Sequence, residues 1–402
     1  MAHSFPTPAI ATLQRQQVKD GLLLNAERWQ RAHDYHRQRQ NVHYQSLNQP
    51  GIVCGLGVHA IPPPNAVAAE YRDQRWVNIQ PGIAIDLEGN LIIVPQPLNF
   101  RIATEVKESE PLTVYLVAQY RDPDQLEDTP DHEVVPETFR IDERSRPPGR
   151  LDVELCRVLL REQQHSVSMP NDVFFPGYGD IDLRYRHQAQ ARPQGLVCIA
   201  ELQHDDADCS RNFFNLTYLS RSVEDIYPAL RGAETVDQVT WDDDLQSYEL
   251  LYLTGRRSLS LNSHQCSTLS RYLNRGGTLL VDTTSESKEL IQSVQVLAQQ
   301  LQTPLKSLQE SRRDHPLRIK PFLFSALPMV DQTRIQLLSG GGIILSIGNL
   351  AGLWGLDEGL LRSRAEIRTA QELGLNILHF AWKRRQLIDD SDNSSKEIFK
   401  KI

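Results

Sequence analysis

Apolar and polar positions follow two textures along the chain, changing near residue 200. Before that point one stretch has helical spacing: Trp29, Ala32, Tyr35 and Val42 recur with a period near 3.6. Asn25 stands where an N-cap belongs, Glu27 sits in the first turn, and Leu24 and Trp29 are spaced as a hydrophobic staple. Pro50-Gly51 ends the run. The pattern predicts a helix of about 20–24 residues, roughly 30–36 Å long. Its flanks carry Arg28, Arg31, Arg37 and Arg39 among many Gln and His, so it belongs on a surface or against a partner.

From Gly51 short β-rich runs take over. Ile52–Val58 contains two glycines, and Pro62-Pro63-Pro64 interrupts the β pattern. Ile83-Ala84-Ile85-Asp86, the turn Leu87-Glu88-Gly89-Asn90 and Leu91–Pro95 predict a hairpin. Thr113–Tyr120 reads as a strand, Leu151–Leu155 as a half-buried one, and Leu196–Leu202 as the last of this half. Residues 122–150 and 166–193 read as long loops, the second carrying Phe174-Phe175-Pro176-Gly177-Tyr178-Gly179. Loops of that length point to function or disorder; aromatics beside Pro and Gly suit a docking surface or a tucked-in Ω-loop.

The second texture alternates strands with helices. Leu250–Gly255, Thr278–Asp282 and Ile343–Ile347 are strands; helices start at Asn262, span Ser287–Leu301 and close the chain over Arg364–Lys383. Such alternation means βαβ units and a parallel sheet. The layout is an α+β multidomain chain: a helical segment at 1–50, a β-rich sandwich- or barrel-like domain at 51–204, a linker at 205–245, an α/β domain at 246–388 and a polar tail at 389–402.

Composition narrows the classes. With 43 Lys plus Arg against 51 Asp plus Glu the net charge is −8, and 40% apolar with 23% charged residues among 402 suits globular domains rather than a rod, a collagen or bulk disorder. No apolar run is long enough to span a bilayer, and the N-terminus lacks the basic start and apolar stretch of a secretory signal, so a cytoplasmic protein is expected. Mild acidity disfavours nucleic-acid binding. Cys54, Cys156, Cys198, Cys209 and Cys266 form no C-x-x-C pair; the first three lie in apolar runs and read as core.

Candidate chemistry is sparse. Ligands of open α/β sheets bind at the carboxyl ends of strands, which here hold Thr254, Asp282, Thr283 and Asn349. Asp282 suits a catalytic or metal-binding carboxylate, or the commoner role of helix cap. Gly340-Gly341-Gly342 precedes a strand and matches no phosphate-binding pattern, so it reads as a turn. Cys266 falls within a helix rather than on a strand-to-helix elbow. His33, His36 and His43 share a helical face without an acid or cysteine at ligand spacing, and Asp205-Asp206-Asp208 and Asp242-Asp243-Asp244 lack the order of a calcium loop. No catalytic residue, metal or cofactor is expected.

Two resemblances add to this. Tyr248–Gly255, the Leu-x-x-Tyr-Leu-x-x-Gly-Gly pattern of Leu269–Gly277 with Thr278–Asp282 behind it, and Leu373–Phe380 make residues 246–385 resemble a bacterial domain family of unknown function with the class I glutamine amidotransferase-like fold. The resemblance implies a flavodoxin- or amidotransferase-like parallel sheet. Amidotransferase chemistry needs an elbow cysteine, and Asp282-Thr283-Thr284 stands in that place, so fold without activity is implied. Gly21–Glu27, Asp34–Arg37, Gly51–Val58, Pro81–Gly89 and Ile92–Pro95 make residues 20–95 resemble a small domain found beside baseplate genes of contractile injection systems. That implies a structural part in a phage-tail-like particle.

The expected function is therefore a non-catalytic component in or around such a baseplate. It would be present in multiple copies, contacting other baseplate, sheath and spike proteins, with any membrane reached only through them. Trp29, Tyr35 and His36 on the helix and Phe174, Phe175 and Tyr178 in the loop are the expected partner contacts. The alternatives are a small-molecule-binding or hydrolytic protein using Thr254, Asp282, Thr283 and Asn349, and an adaptor unrelated to injection machines.

Overall fold

A computed structural model describes residues 12–106, 110–122, 137–162, 164, 166–203, 210–330, 333–355 and 362–391. It is a mixed α+β chain whose two compact units divide between Arg192 and Pro193.

The first unit opens with α1 (Ala26–Leu47), where the Asn25 side chain accepts the Arg28 N–H as its N-cap. Leu24 and Trp29, the expected staple, are both exposed. No residue of α1 is buried. One flank rests on the unit nonetheless: Arg37 pairs with Asp122 at 2.7 Å and Asn41 meets Asn90 at 2.7 Å. This flank ties α1 into the β-rich unit, so the expected boundary at residue 50 does not set the helix apart from the strands that follow.

Ten strands follow: β1 (Gly51–Gly55), β2 (Val58–Ile61), β3 (Trp76–Ile79), β4 (Gly82–Ile85), β5 (Leu91–Val94), β6 (Leu98–Arg101), β7 (Leu112–Arg121), β8 (Thr138–Arg144), β9 (Val153–Leu160) and β10 (Ile181–Asp182). They form antiparallel sheets ordered β1-β4-β5, β2-β3-β6 and β10-β9-β7-β8. All three contribute to one core, from Ile52 and Ala84 through Val77 and Ile79 to Leu116 and Leu155. The expected β4–β5 hairpin forms, with Gly89 at φ +80° and the Asp86 carboxylate accepting the N–H groups of Glu88 and Asn90. The expected loop at 122–150 is partly strand, since β8 pairs with β7 from Arg121↔Thr138 to Tyr115↔Arg144; residues 123–136 lie outside the described residues. Likewise 166–193 contains β10. In β9, Val153, Glu154, Leu155 and Cys156 are all buried, so the first half of this strand is covered on both faces rather than one.

The second unit holds β11 (Gly195–Val197), β12 (Ile199–Leu202), α2 (Ser210–Ile226), β13 (Leu230–Gly232), β14 (Asp237–Val239), β15 (Leu250–Thr254), α3 (Ser263–Asn274), β16 (Thr278–Thr283), α4 (Lys288–Gln300), β17 (Lys306–Ser307), α5 (Pro316–Ile319), β18 (Met329–Val330), β19 (Thr333–Arg334), β20 (Gln336–Gly340), β21 (Ile343–Ile347) and α6 (Arg364–Ser391). Its main sheet is ordered β14-β12-β15-β16-β21-β20-β17. The first five are parallel; β20 and β17 extend the sheet antiparallel. Leu216, Leu219, Leu373 and Ile377 belong to a core on one face, and Leu269, Leu273, Leu290 and Val294 to one on the other.

Here the expected domain limits are corrected. Leu196–Leu202 does not end the β-rich half: Ile199, Ala200 and Leu202 are buried, and β12 takes a central place beside β15. Nor is 205–245 a linker, because it supplies α2, β13 and β14, and its Leu216, Leu219, Val223, Leu230 and, just before β14, Val236 enter the core. The closing helix runs eight residues past the expected Lys383, to Ser391. Tail residues 392–402 lie outside the described residues. Among the described residues no helix is long and apolar enough to cross a membrane.

Candidate functional site

The carboxyl ends of β15, β16 and β21 bring the four expected pocket residues together. Register places Thr254 beside Asp282 and Asp282 beside Ser346. All three strands are apolar on both faces, which fixes them in the middle of the sheet and delivers these polar residues to its rim. Thr283 Oγ1 donates to the Gly255 carbonyl at 2.8 Å, and the Thr283 carbonyl accepts the N–H groups of Gly348 and Asn349. Asn349 turns the chain with left-handed φ 58°, ψ 55°, a conformation Asn adopts more readily than most residues.

Asp282 anchors this turn. Its side chain is 1% exposed, and its two carboxylate oxygens accept the N–H groups of Leu350 at 3.0 Å and Ala351 at 2.9 Å. Those residues open the 3-10 turn Leu350–Leu353, so the carboxylate satisfies donors that the turn itself leaves free. Burial pushes the Asp282 pKa up to about 6, against the hydrogen bonds from the Ala351 and Leu350 N–H groups that pull it down. The carboxylate serves as a cap, for a turn after β21 rather than for α4. Thr254 and Thr283 are buried with it.

A second acid was not foreseen. Glu201, in mid-β12, lies opposite Tyr252 in the sheet, and burial raises its pKa. Gln238 Nε2 donates to one of its oxygens at 3.0 Å, while the other has no hydrogen-bond partner. Alternation along the strands puts Glu201, Tyr252, Asp282 and Ser346 on one face of the sheet. The signal in the sequence is an acid inside the apolar run Val197–Leu202. On the opposite face, a groove of about 450 Å³ is lined by Ser258, Leu259, Cys266, Glu289, Ser293 and Gln300. Cys266 stands in the first turn of α3 with its thiol toward the Leu261 carbonyl at 3.8 Å.

The Leu-x-x-Tyr-Leu-x-x-Gly-Gly pattern has a structural purpose. Leu269, Tyr272 and Leu273 are the buried face of α3, and Gly276 leaves the helix at φ +88°. A Cβ on Gly277 would stand 2.3 Å from Tyr272 ring carbons, and the Tyr272 hydroxyl bonds the backbone of Thr278. The triple glycine is a hairpin turn between β20 and β21, with Gly341 and Gly342 at φ +58° and +93°. Asp243 accepts from Thr240, and Asp244 caps the turn Leu245–Ser247. Asp205, Asp206, Asp208 and Cys209 lie outside the described residues. Among the described residues no group of three or more acids, histidines or cysteines is placed to hold a metal. Cys156 and Cys198 are buried as expected, but Cys54 is exposed, carried outward at the irregularity in β1 between Ile52 and Cys54.

In the first unit the expected contact residues divide. Trp29 is 58% exposed and His36 is exposed beside it on α1, whereas Tyr35 turns toward the unit and is half-buried. Phe174 and Phe175 are 70% and 80% exposed, and Tyr178 is also exposed, under the Arg161 guanidinium. Their loop is pinned: Asp172 accepts the Phe174 N–H, Asp180 accepts the Gly177 N–H, and Arg184 donates to the Phe174 carbonyl at 2.7 Å. The loop closes on itself through its backbone, yet it does not tuck these rings inside.

No curated protein matches the chain. Residues 198–382, from the start of β12 into α6, match the model of a domain of unknown function, DUF4159.

Proposed function

We propose that this chain is a non-catalytic structural component of a contractile injection system, in or around the baseplate, working through protein–protein contacts. The observation that carries the reading is the state of Asp282. At the ends of β15, β16 and β21, where an open α/β sheet presents its chemistry, the Asp282 carboxylate is buried and bound to the Leu350 and Ala351 N–H groups. It holds the loop and offers nothing outward. The parallel strands, taken in chain order, lie in the order 2-1-3-4-5, the doubly wound order of flavodoxin-like sheets. This supports a flavodoxin- or amidotransferase-like fold employed as a scaffold, since a fold does not fix a function. The N-terminal resemblance supplies the particle, and the exposed faces of α1 and of the Phe174–Tyr178 loop supply contact surfaces. Other baseplate, sheath and spike proteins are the proposed partners, in multiple copies within a cytoplasmic particle.

Sedimentation of native lysate with a tag on this chain tests the reading. Co-migration with tube, sheath and spike proteins at fixed stoichiometry is expected; a light fraction without them overturns it. The strand-end convergence of Thr254, Asp282, Thr283 and Asn349 keeps a small-molecule reading in view. A thermal shift with a ligand panel that is abolished in Asp282→Ala would favour that reading.

A further inference from the structure

A short strand closes one margin of the main sheet. β14 is the outermost strand on the β12 side and is 3 residues long. It pairs with β12 through Ala200↔Asp237, Glu201↔Gln238 and Leu202↔Val239, and the Gln203 N–H donates to the Val239 carbonyl at 2.9 Å. The middle pair is polar, although Ile199, Ala200 and Leu202 around it are buried and apolar. Glu201 is itself 4% exposed. Gln238 Nε2 donates to one carboxyl oxygen at 3.0 Å, and the other oxygen is buried without a partner.

The groups around this carboxyl supply no counter-charge. Tyr252 stands beside it on β15. On the same face α2 buries Asn215, Leu216, Leu219, Ser220 and Val223, none of them ionisable. The charges of α2 lie elsewhere: Arg221 and Asp225 are exposed, and Glu224 pairs with Arg231 of β13. On β14, Asp237 alternates to the opposite face and accepts the Tyr248 hydroxyl at 2.8 Å. Asp282 is two strands away, on β16. Among the described residues no cation pairs with Glu201; burial raises its pKa, and the Gln238 amide opposes that rise. An ion with one neutral donor is far costlier to bury than a neutral acid with an idle hydroxyl. The relief nearest to hand is water, admitted by movement of the short edge strand that holds Gln238.

We propose that Glu201 is a pH-operated latch on this edge: β14 stays closed while Glu201 carries its proton and loosens when the proton leaves. Opening hydrates the carboxylate and bares the backbone groups of β12 that β14 had paired. Because the closed state holds the proton more tightly, its advantage is complete below the ordinary carboxyl range, is lost as pH rises through the raised value, and is level above it.

Hydrogen exchange of the full chain, read by mass spectrometry from about pH 5 to 8 and corrected for the intrinsic base dependence of exchange, tests the latch. Peptides from 230–245 should lose protection by about threefold or more as pH rises, while peptides from α3 keep theirs. Glu201→Gln copies the neutral acid and cannot ionise, so its 230–245 peptides should keep their protection throughout. Asp282 titrates on the same sheet, but its N–H partners are Leu350 and Ala351. Loosening through Asp282 would therefore appear in peptides covering 346–355 and persist in Glu201→Gln. An equal melting temperature at pH 5 verifies that the variant folds; should it not fold, the wild-type contrast between 230–245 and α3 decides alone. Level protection of 230–245 in the wild type, an equal loss in Glu201→Gln, or a loss shared evenly with α3 would overturn the proposal.

Discussion

Asp282 is the residue on which the α/β unit's functional reading turns, and its energetics are measurable. Asp282→Ala leaves two buried N–H groups without acceptors, an expected loss of about 2–4 kcal/mol by chemical denaturation. Asp282→Asn separates charge from shape. The folded pKa is raised from an ordinary 3.8 to about 6, so the proton is held more tightly in the folded state than in the unfolded one. The stability Asp282 contributes is fully present below pH ~4 and is lost as pH rises through ~6. The stability of wild type minus that of Asp282→Asn should therefore decline across that window, by at most about 3 kcal/mol, and stay level above it. A flat difference would mean that the two N–H donors offset the burial. Gly277→Ala tests the glycine pair in the same way. Tyr272 is fully buried and its ring lies against the absent Cβ, so a loss of about 1–3 kcal/mol is expected from overpacking. At this scale the sequence revealed residue types but not directions. A carboxylate before hydroxyls at a strand end reads alike whether it faces a ligand or a backbone, whereas the Leu-x-x-Tyr-Leu-x-x-Gly-Gly pattern was recognisable although its Tyr–Gly packing was not.

Elements were legible where a local signal ended them. Asn25 and Asn262 cap α1 and α3 as read, and Gly276 stops α3. Strands β15, β16 and β21 were legible as short apolar runs. Those missed depend on distant partners: β8 is a polar sequence made a strand by pairing with β7, and β12 looked like its neighbours upstream until β15 lay beside it. Helix α2 was missed because its apolar positions lie between acidic stretches that read as a linker. The long α6 is fastened through buried Asn376, which donates to the Leu317 and Phe322 carbonyls and accepts the Phe322 N–H. Asn376→Ala should cost about 2–4 kcal/mol, since three backbone groups around α5 lose their partner together. Trp29→Ala, by contrast, should change stability by less than about 0.5 kcal/mol, because its ring is exposed.

At the scale of the whole molecule, the chain joins a β-rich unit with one core to an α/β unit whose sheet is buried on both faces. Separate cores predict separable unfolding. Calorimetry should resolve two transitions, with Asn376→Ala lowering one and leaving the other within about 1 °C; a single transition shifted as a whole would show that the units unfold as one. The α/β architecture followed from the alternation of elements, but its limits did not, because β12 lies some 50 residues before β15, its neighbour toward the middle of the sheet. The central claim is assembly into a particle, and sedimentation of tagged native lysate followed by mass spectrometry of the tagged fraction tests it most directly. The account predicts that the chain travels in a megadalton fraction with sheath, tube and spike proteins at constant ratio. A chain found in a light fraction without those proteins would contradict it.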